Sequence, residues 1–375
     1  MKEFRMVRVV PAFMVAMAAL GATLTAQAQT SNSIFPAGIE SRVRDRLFMR
    51  LGYTTAFIKT KSEEARDITG PVVTRQELLN AFDAGITLSS NCGADTDGPC
   101  ALSDFESGNN YDIFKSQLQF AMEQQGLVGF GTPPGIKVKA QKSAGTPTIS
   151  VGYWLDDNYK WLVEAYVLAA PLSVKLYGDG IRADGTPNTL NGRHIATSKL
   201  LPPLVIGSYN FGKRGDTVRP FIGAGAMYAI FFDARSTPFF DDYQGGKTTI
   251  TTKNVFGFGP FAGVQTAIND DWHLNLTVGQ VSLKTTSRLV TSGTQIKTGS
   301  AVLNDIGVTN DVLTDVPYLI DGAEGAWTGI TPLTTSLMSL VKINRNNAAD
   351  LGTYVREQKM KITNTIVTLS VGYRF

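Results

Sequence analysis

Thr363-Asn364-Thr365-Ile366-Val367-Thr368-Leu369-Ser370-Val371-Gly372-Tyr373-Arg374-Phe375 is the stretch that decides the fold. Thr363, Thr365, Val367, Leu369, Val371, Tyr373 and Phe375 form one row, mostly apolar and ending in aromatics. Asn364, Ile366, Thr368, Ser370, Gly372 and Arg374 form the other, mostly small or polar. A period of two with many β-branched residues predicts a strand. Soluble sandwich strands alternate in the same way but run to about half this length. A tilted strand that crosses a bilayer needs roughly ten residues, and this stretch has that length.

The same alternation recurs upstream. Leu47, Met49, Leu51 and Tyr53 alternate with Phe48, Arg50, Gly52 and Thr54. Ile149, Val151 and Tyr153 alternate with Ser150, Gly152 and Trp154, and Trp161, Val163 and Ala165 with Leu162, Glu164 and Tyr166. Phe256, Phe258, Ala262 and Val264 alternate with Gly257, Gly259, Gly263 and Gln265, and Trp272, Leu274 and Leu276 with His273, Asn275 and Thr277. Two further segments, near 199–211 and 218–233, are apolar on both faces in places, so their orientation stays open. The fold class read from this is all-β: an eight-stranded antiparallel transmembrane β-barrel. Its strands are expected at about 47–59, 148–156, 159–170, 199–211, 218–233, 254–268, 272–291 and 361–375.

The connections support that count. Asp156-Asp157-Asn158, Gly212-Lys213-Arg214-Gly215-Asp216 and Asn269-Asp270-Asp271 are short and polar. Segments 60–147, 171–198, 234–253 and 292–360 are long, and long and short alternate strictly. Antiparallel strands then place every long loop on one rim and every short turn on the other, as in outer-membrane barrels with short periplasmic turns. Loops one and four are expanded. Loop one carries helical patterns over 76–84 and 111–125, with Cys92 and Cys100 between them, and loop four has an apolar stretch from Leu333 to Ile343. Long structureless loops are uncommon. Either a stapled external cap or an exposed insertion fits these segments.

The first residues set the compartment. Lys2, Arg5 and Arg8 precede an apolar run from Val9 to Leu20, and Ala26-Gln27-Ala28 is an A-x-A cleavage site. This predicts a secretory signal peptide over 1–28, with 29–375 as the barrel. An N-terminal anchor is the alternative, but the run is shorter than the roughly 20 residues a spanning helix needs. No later apolar run reaches that length, and Pro220 to Phe232 is broken by Gly223 and Gly225. If the chain sits in a membrane, it must therefore cross as a closed barrel, because lipid leaves no other way to satisfy the backbone. In an exported chain Cys92 and Cys100 read as a disulfide rather than a metal site. The net charge of +3 has no basic patch interleaved with aromatics, so nucleic acid is not an expected partner.

Aromatics gather beside the short turns: Trp154, Tyr159, Trp161, Phe211, Phe221, Trp272, Tyr373 and Phe375. Rings with a polar edge favour the headgroup level, which predicts an aromatic girdle, with Trp161, Trp272, Tyr373 and Phe375 as its firmest members. An eight-stranded barrel has an interior that side chains can nearly fill, which argues against a wide aqueous pore. Arg50, Trp154, Leu162, Glu164, Tyr166, Leu168 and Arg374 are the candidate lumen residues. Arg50 and Glu164 are expected to pair, since a buried charge needs a partner. Such a pair would form a floor against water and ions, or simply fill the barrel. Pro202 and Pro203 are candidates for a lateral opening, because proline removes a ladder donor.

Enzyme chemistry has little support in the sequence. His194 lies in a loop with Ser198 four residues on, and His273 sits beside a short turn. No G-x-S-x-G element is present, and no carboxylate stands at a strand-compatible spacing to orient either histidine. No catalytic residue, cofactor or metal site is expected. Gly223-Ala224-Gly225 lies within a strand and does not form a phosphate loop.

Several blocks together resemble a known family. They are Lys199-Leu200-Leu201-Pro202-Pro203-Leu204, Tyr209-Asn210-Phe211, Arg219-Pro220-Phe221-Ile222-Gly223-Ala224-Gly225, Phe231-Phe232-Asp233 and Asn269-Asp270-Asp271-Trp272. With the terminal Val371-Gly372-Tyr373-Arg374-Phe375, they are similar to the outer membrane protein W (OmpW) family. The terminal aromatic is also similar to the C-terminal signature of bacterial outer-membrane proteins, which implies the barrel-assembly machinery as a partner. The family resemblance implies a narrow, largely hydrophobic lumen in the Gram-negative outer membrane. It also implies a channel or receptor for small hydrophobic molecules, with outer-membrane lipids as surroundings. The alternative is a structural or adhesive barrel whose external loops bind partners. Loops one and four are much longer than is usual in that family.

Overall fold

A computed structural model describes residues 45–77, 79–80, 119, 123, 129–130, 136–180, 187, 189–295, 341, 345–346 and 348–374. The expected signal peptide, the Cys92–Cys100 pair and Phe375 lie outside the described residues, as does most of 81–128 and 296–344. The strands in chain order are β1 (Leu47–Ser62), the two-residue pieces β2 (Arg66–Asp67), β3 (Val73–Thr74) and β4 (Gly129–Phe130), then β5 (Lys137–Ala140) and β6 (Ser143–Trp154). There follow β7 (Trp161–Leu168), β8 (Leu172–Asp179), β9 (His194–Leu201), β10 (Leu204–Asn210) and β11 (Val218–Ser236). The helix α1 (Pro238–Gln244) precedes β12 (Lys247–Thr252), β13 (Val255–Ala267), β14 (Trp272–Ser292) and β15 (Tyr354–Arg374).

Antiparallel pairing closes a ring in the order β1, β6, β7, β10, β11, β13, β14, β15 and back to β1. Each of these eight strands is thereby paired on both sides, apart from an interruption near Pro202 and Pro203, and such closure is the condition for a sheet in lipid. Each short turn is set by one side chain. The Asp156 carboxylate accepts from the backbone N–H of Lys160 and Trp161, at 2.9 and 2.7 Å. Asp216 accepts from Lys213 N–H at 2.7 Å, and the Asn269 carbonyl oxygen from Asp271 and Trp272 at 3.0 and 2.8 Å. Asp and Asn reach nearby backbone donors without leaving a tight turn, which fixes the register of the strands they join.

The outward face is apolar in a band. Leu51, Phe57, Ile222, Phe256, Phe258, Leu276 and Leu369 are exposed there. The outward run from Met49 to Phe57 spans about 27 Å at about 3.4 Å per residue. A tilt of about 40° leaves a belt about 21 Å tall, close to the lipid-facing band of such barrels. Trp161, Trp272 and Tyr373 are exposed at the short-turn edge of this belt, and Trp272 packs against Tyr373 at 5.2 Å.

Strands continue past the belt. Ladders β5–β8, β8–β9, β9–β11, β11–β12 and β12–β14 join the upper parts of β14, β15 and β1 in a second storey. Ile58 N–H donates to Lys142 at 2.8 Å, and Ser62 bonds Val138, which ties β1 to β5. The stretches read from sequence as loops 60–147, 171–198, 234–253 and 292–360 therefore contain β5, β8, β9, β12, α1 and the start of β15. The physical reason is that many outward positions here are lysines, among them Lys59, Lys61, Lys139, Lys175, Lys199, Lys284 and Lys361, while inward positions mix apolar side chains such as Ile195, Leu289 and Met360 with polar ones such as Ser287, Arg356 and Gln358. A strand recognised by a lipid-facing apolar row ends where the lipid ends, whereas its hydrogen bonds continue. α1 closes part of this storey. Thr237 caps it, Pro238 begins it and Gly245 (φ 75°) ends it, with Phe240 and Tyr243 buried below.

Glycines on the inner face make room for rings on the neighbouring strand. Gly152 lies against the Phe48 ring, Gly263 against Phe221, and Gly279 against Phe261, so close that a Cβ would overlap each ring. A narrow barrel thus holds three inward phenylalanines flat against its wall.

Candidate functional site: the barrel interior

The interior is layered, and strand register sets the layers. Nearest the short turns, Phe48, Trp154, Tyr159 and Leu162 form a buried aromatic floor. The Trp154 ring lies 6.0 Å from Phe48 and 5.4 Å from Tyr159. Arg219 stacks over Trp154 at 5.0 Å, and Arg374 and Arg214 stand 5.5 and 4.2 Å from the Tyr159 ring. Trp154, Tyr159 and Phe221 therefore leave the girdle expected from their place beside the turns. Trp154 shares the parity of inward Ser150, and Phe221 that of inward Arg219; Tyr159 adopts a positive φ of 54° that turns its ring under the barrel.

Above the floor lies a polar layer. Arg50 is fully enclosed, and its Nη1 donates to the Glu164 carboxylate at 2.5 Å. Its Nη2 donates to the Gln265 carbonyl oxygen at 3.0 Å, and its Nε to His273 Nε2 at 2.9 Å. The Ser150 hydroxyl donates to the other Glu164 oxygen at 2.6 Å. The layer joins β1, β6, β7, β13 and β14 across the lumen. Next come hydroxyls in series, with Thr148 donating to Thr54 at 2.7 Å and Thr54 meeting Thr368 at 2.8 Å. Sequence reasoning named Arg50 and Glu164 but not Gln265, His273 or Ser150. All three lay in the small or polar rows of their strands, a signal that identified the face but not the partner across the barrel.

The next layer is an apolar column built on Tyr166, Leu168, Leu172, Leu200, Leu204, Met227, Val281, Leu283 and Ile366. It encloses a cavity of about 40 Å³, with Pro202 in its wall. A second apolar cluster in the upper storey, including Ile136, Ile195, Phe240, Leu289 and Met360, encloses about 20 Å³ more. Both spaces have room for little more than water. Neither of these two spaces, as it stands, holds a larger solute.

Segment 199–211 was read as one strand, but it is two, β9 and β10, divided at Pro202 and Pro203. Neither proline has an N–H to donate. On one side the break is patched, because Tyr228 N–H donates to the Pro203 carbonyl at 3.0 Å. On the other side the ladder stops at Tyr166↔Leu204 and resumes at Leu172↔Leu200. This gap in the wall stands beside the apolar cavity.

The long connections meet above the barrel. Arg345 of loop four donates to the Glu77 carboxylate of loop one at 2.5 Å and to the Val72 carbonyl at 2.8 Å. Gln76–Ala84 was read as helical, and its described residues, Gln76, Glu77, Leu79 and Asn80, are helical. Gln119 and Glu123 are helical within 111–125, and Val341 is a buried helical residue of the apolar stretch in loop four. Among the described residues no group of three or more His, Cys, Asp or Glu is arranged to hold a metal ion.

A family model described as the OmpW family matches residues 115–306. The chain is 30% identical over 144 residues to outer membrane protein W of Vibrio cholerae serotype O1, covering 37% of this chain and 59% of that protein. It is 33% identical over 103 residues to outer membrane protein W of Escherichia coli K12, covering 27% of this chain and 47% of that one. The chain thus spans about half to three-fifths of the length of the curated relatives it matches. Among solved structures it is similar to the outer membrane protein OprG from Pseudomonas aeruginosa, with a TM-score of 0.46 at 14% identity, covering 89% of this chain and 97% of that one. It is also similar to outer membrane protein AlkL in lipid bilayers, with a TM-score of 0.40 at 12% identity, covering 92% and 96%.

Proposed function

The chain belongs to the OmpW family of outer-membrane barrels, and on that premise we propose that it forms a narrow path for small hydrophobic molecules, released sideways into the membrane. One observation carries this reading: the apolar column ends below on the buried Arg50–Glu164 layer and lies beside the interrupted ladder at Pro202 and Pro203. A solute entering from the long-loop side meets leucines and Met227 down to Thr54 and Thr148, and then fixed charges. An apolar solute loses nothing by leaving through a wall that lacks ladder bonds, whereas crossing the polar layer would strip Arg50 and Glu164 of their partners. Lumen residues Trp154, Leu162 and Arg374 belong to the floor, Glu164 and Arg50 to the barrier, and Tyr166 and Leu168 to the path. The protein does this without a catalytic step or cofactor. The C-terminal strand is the segment proposed to engage the barrel-assembly machinery.

Uptake into liposomes tests the reading. Apolar solutes should enter protein-containing vesicles faster than polar solutes of equal size, and replacing Pro202 and Pro203 together with Val should slow them, because successive N–H groups point to opposite neighbours and one of the two restored donors faces the gap. Equal entry of apolar and polar solutes refutes it. A receptor role has its own support in the contact between the two long loops through Arg345 and Glu77. Truncating those loops while apolar uptake stays unchanged would separate the two activities.

A further inference from the structure

Three lysines stand side by side in register on adjacent strands of the outer wall. Lys61 of β1 pairs with Lys361 of β15, and Lys361 pairs in turn with Lys284 of β14. All three are exposed, as are Lys59 and Lys359 two positions along their strands. Neighbouring strands are about 4.8 Å apart, and like charges placed directly opposite one another destabilise a sheet. None of these five lysines makes an ion pair with a described residue, although Lys137 and Lys139 nearby find Glu64 and Asp179. Glu63, just past β1, lies opposite Lys359, its N–H donating to the Lys359 carbonyl at 2.9 Å, and Glu357 lies two positions from Lys359 on β15, but neither stands in the row of Lys61, Lys361 and Lys284 or forms an ion pair with it. Repulsion within the row Lys61, Lys361 and Lys284, which holds no carboxylate in register, is costly to keep unless something neutralises it.

The height of the row identifies what does. On each of the three strands the lysine follows the last residues of the apolar belt. Phe57 precedes Lys59 and Lys61, Val278 precedes Lys284, and Val367 follows Lys361, with only Gln280, Ser282, Thr363 and Thr365 at the outward positions between. Residues just beyond the belt on the long-loop side lie at the headgroups of the outer leaflet. A flexible four-carbon stem lets each ammonium group reach down to that level. We propose that Lys61, Lys284 and Lys361, with Lys59 and Lys359 beside them, bind the phosphate groups of a phosphorylated outer-leaflet lipid. The ligand's phosphates take the place of the missing carboxylates and remove the cross-strand repulsion. This site is on the outer wall, away from the solute path, and does not depend on transport.

Binding of fluorescent bis-phosphorylated lipid A to the full chain in phosphatidylcholine nanodiscs tests it. Wild type should bind saturably and prefer the phosphorylated lipid to its dephosphorylated form. The triple variant K61Q/K284Q/K361Q should bind about tenfold more weakly or worse, since each lysine at an anionic surface contributes separately. Lys213→Gln at the opposite rim should bind as wild type does. Heat-resistant migration of the folded barrel on gels verifies folding, and if the triple variant does not fold, single K361Q, which removes the central charge, takes its place. Equal affinity of wild type and the lysine variant overturns the proposal. Indifference to lipid phosphorylation also overturns it. So does full competition by inorganic phosphate, because the site would then serve a free anion and not a lipid.

Discussion

Glu164→Leu should be the most damaging single substitution in the polar layer, because it leaves Arg50 charged and enclosed. The carboxylate it removes accepts from Arg50 Nη1 at 2.5 Å and from the Ser150 hydroxyl at 2.6 Å. Two unit charges about 4 Å apart at an effective dielectric constant of about 20 attract by about 4 kcal/mol. Removing one partner of a buried pair costs about 3–5 kcal/mol, since the other charge stays buried without it. Gln265 and His273 keep two of the Arg50 donors occupied, which holds the cost within that range. The double variant Arg50→Met/Glu164→Leu removes both charges and should unfold within about 1 kcal/mol of wild type, since apolar replacements of buried pairs are often neutral or stabilising. Urea unfolding in lipid vesicles, followed by tryptophan fluorescence, measures both. At about 2 kcal/mol per molar urea, the single variant should lose roughly 1.5–2.5 M in midpoint. A single-variant loss under about 1 kcal/mol, or a double variant as unstable as E164L, refutes the view that charge burial governs this layer.

Leu369→Arg, in the middle of the lipid belt, should cost about 2–4 kcal/mol in vesicle unfolding, while Tyr373→Arg at the belt edge should cost about 0–1 kcal/mol; equal costs would mean that lipid does not contact this face. The tie between the long loops should weaken in acid. Burial pushes Glu77 up, but the Thr74 backbone N–H and the Arg345 guanidinium together hold it below its ordinary value of 4.5. A depressed carboxylate contributes stability above its ordinary value and loses it as pH falls through the lower folded value, so protease cleavage near Glu77 should rise below about pH 4. The partly exposed pair is worth under about 1 kcal/mol, and E77Q should be cleaved equally at neutral and acid pH.

The lipid-facing half of the barrel was legible because lipid imposes a sequence rule. Outward Leu369, Val371 and Tyr373 alternate with inward Thr368, Ser370 and Gly372, and solvent quality on each side enforces that pattern residue by residue. The three short turns were legible for an equally local reason, since Asp156, Asp216 and Asn269 bond backbone within five residues of themselves. The second storey was missed because β5, β8 and β12 face water outside and need no apolar outer row. Trp154 and Phe221 were assigned to the girdle by their position beside turns, when parity within the strand determines direction.

Taken alone, the sequence determined the compartment class, the alternation and the strand-turn rhythm, all of which depend on near neighbours and on the solvent each face meets. Tertiary structure decided what meets across the lumen. Arg50 and Glu164 are 114 positions apart, and Arg50 and His273 are 223 apart. Only ring closure and shear bring those inward rows to one height, and no local pattern encodes the offset between strands. The same closure aligns Lys61, Lys361 and Lys284 on the outside, where sequence shows only three separate lysines.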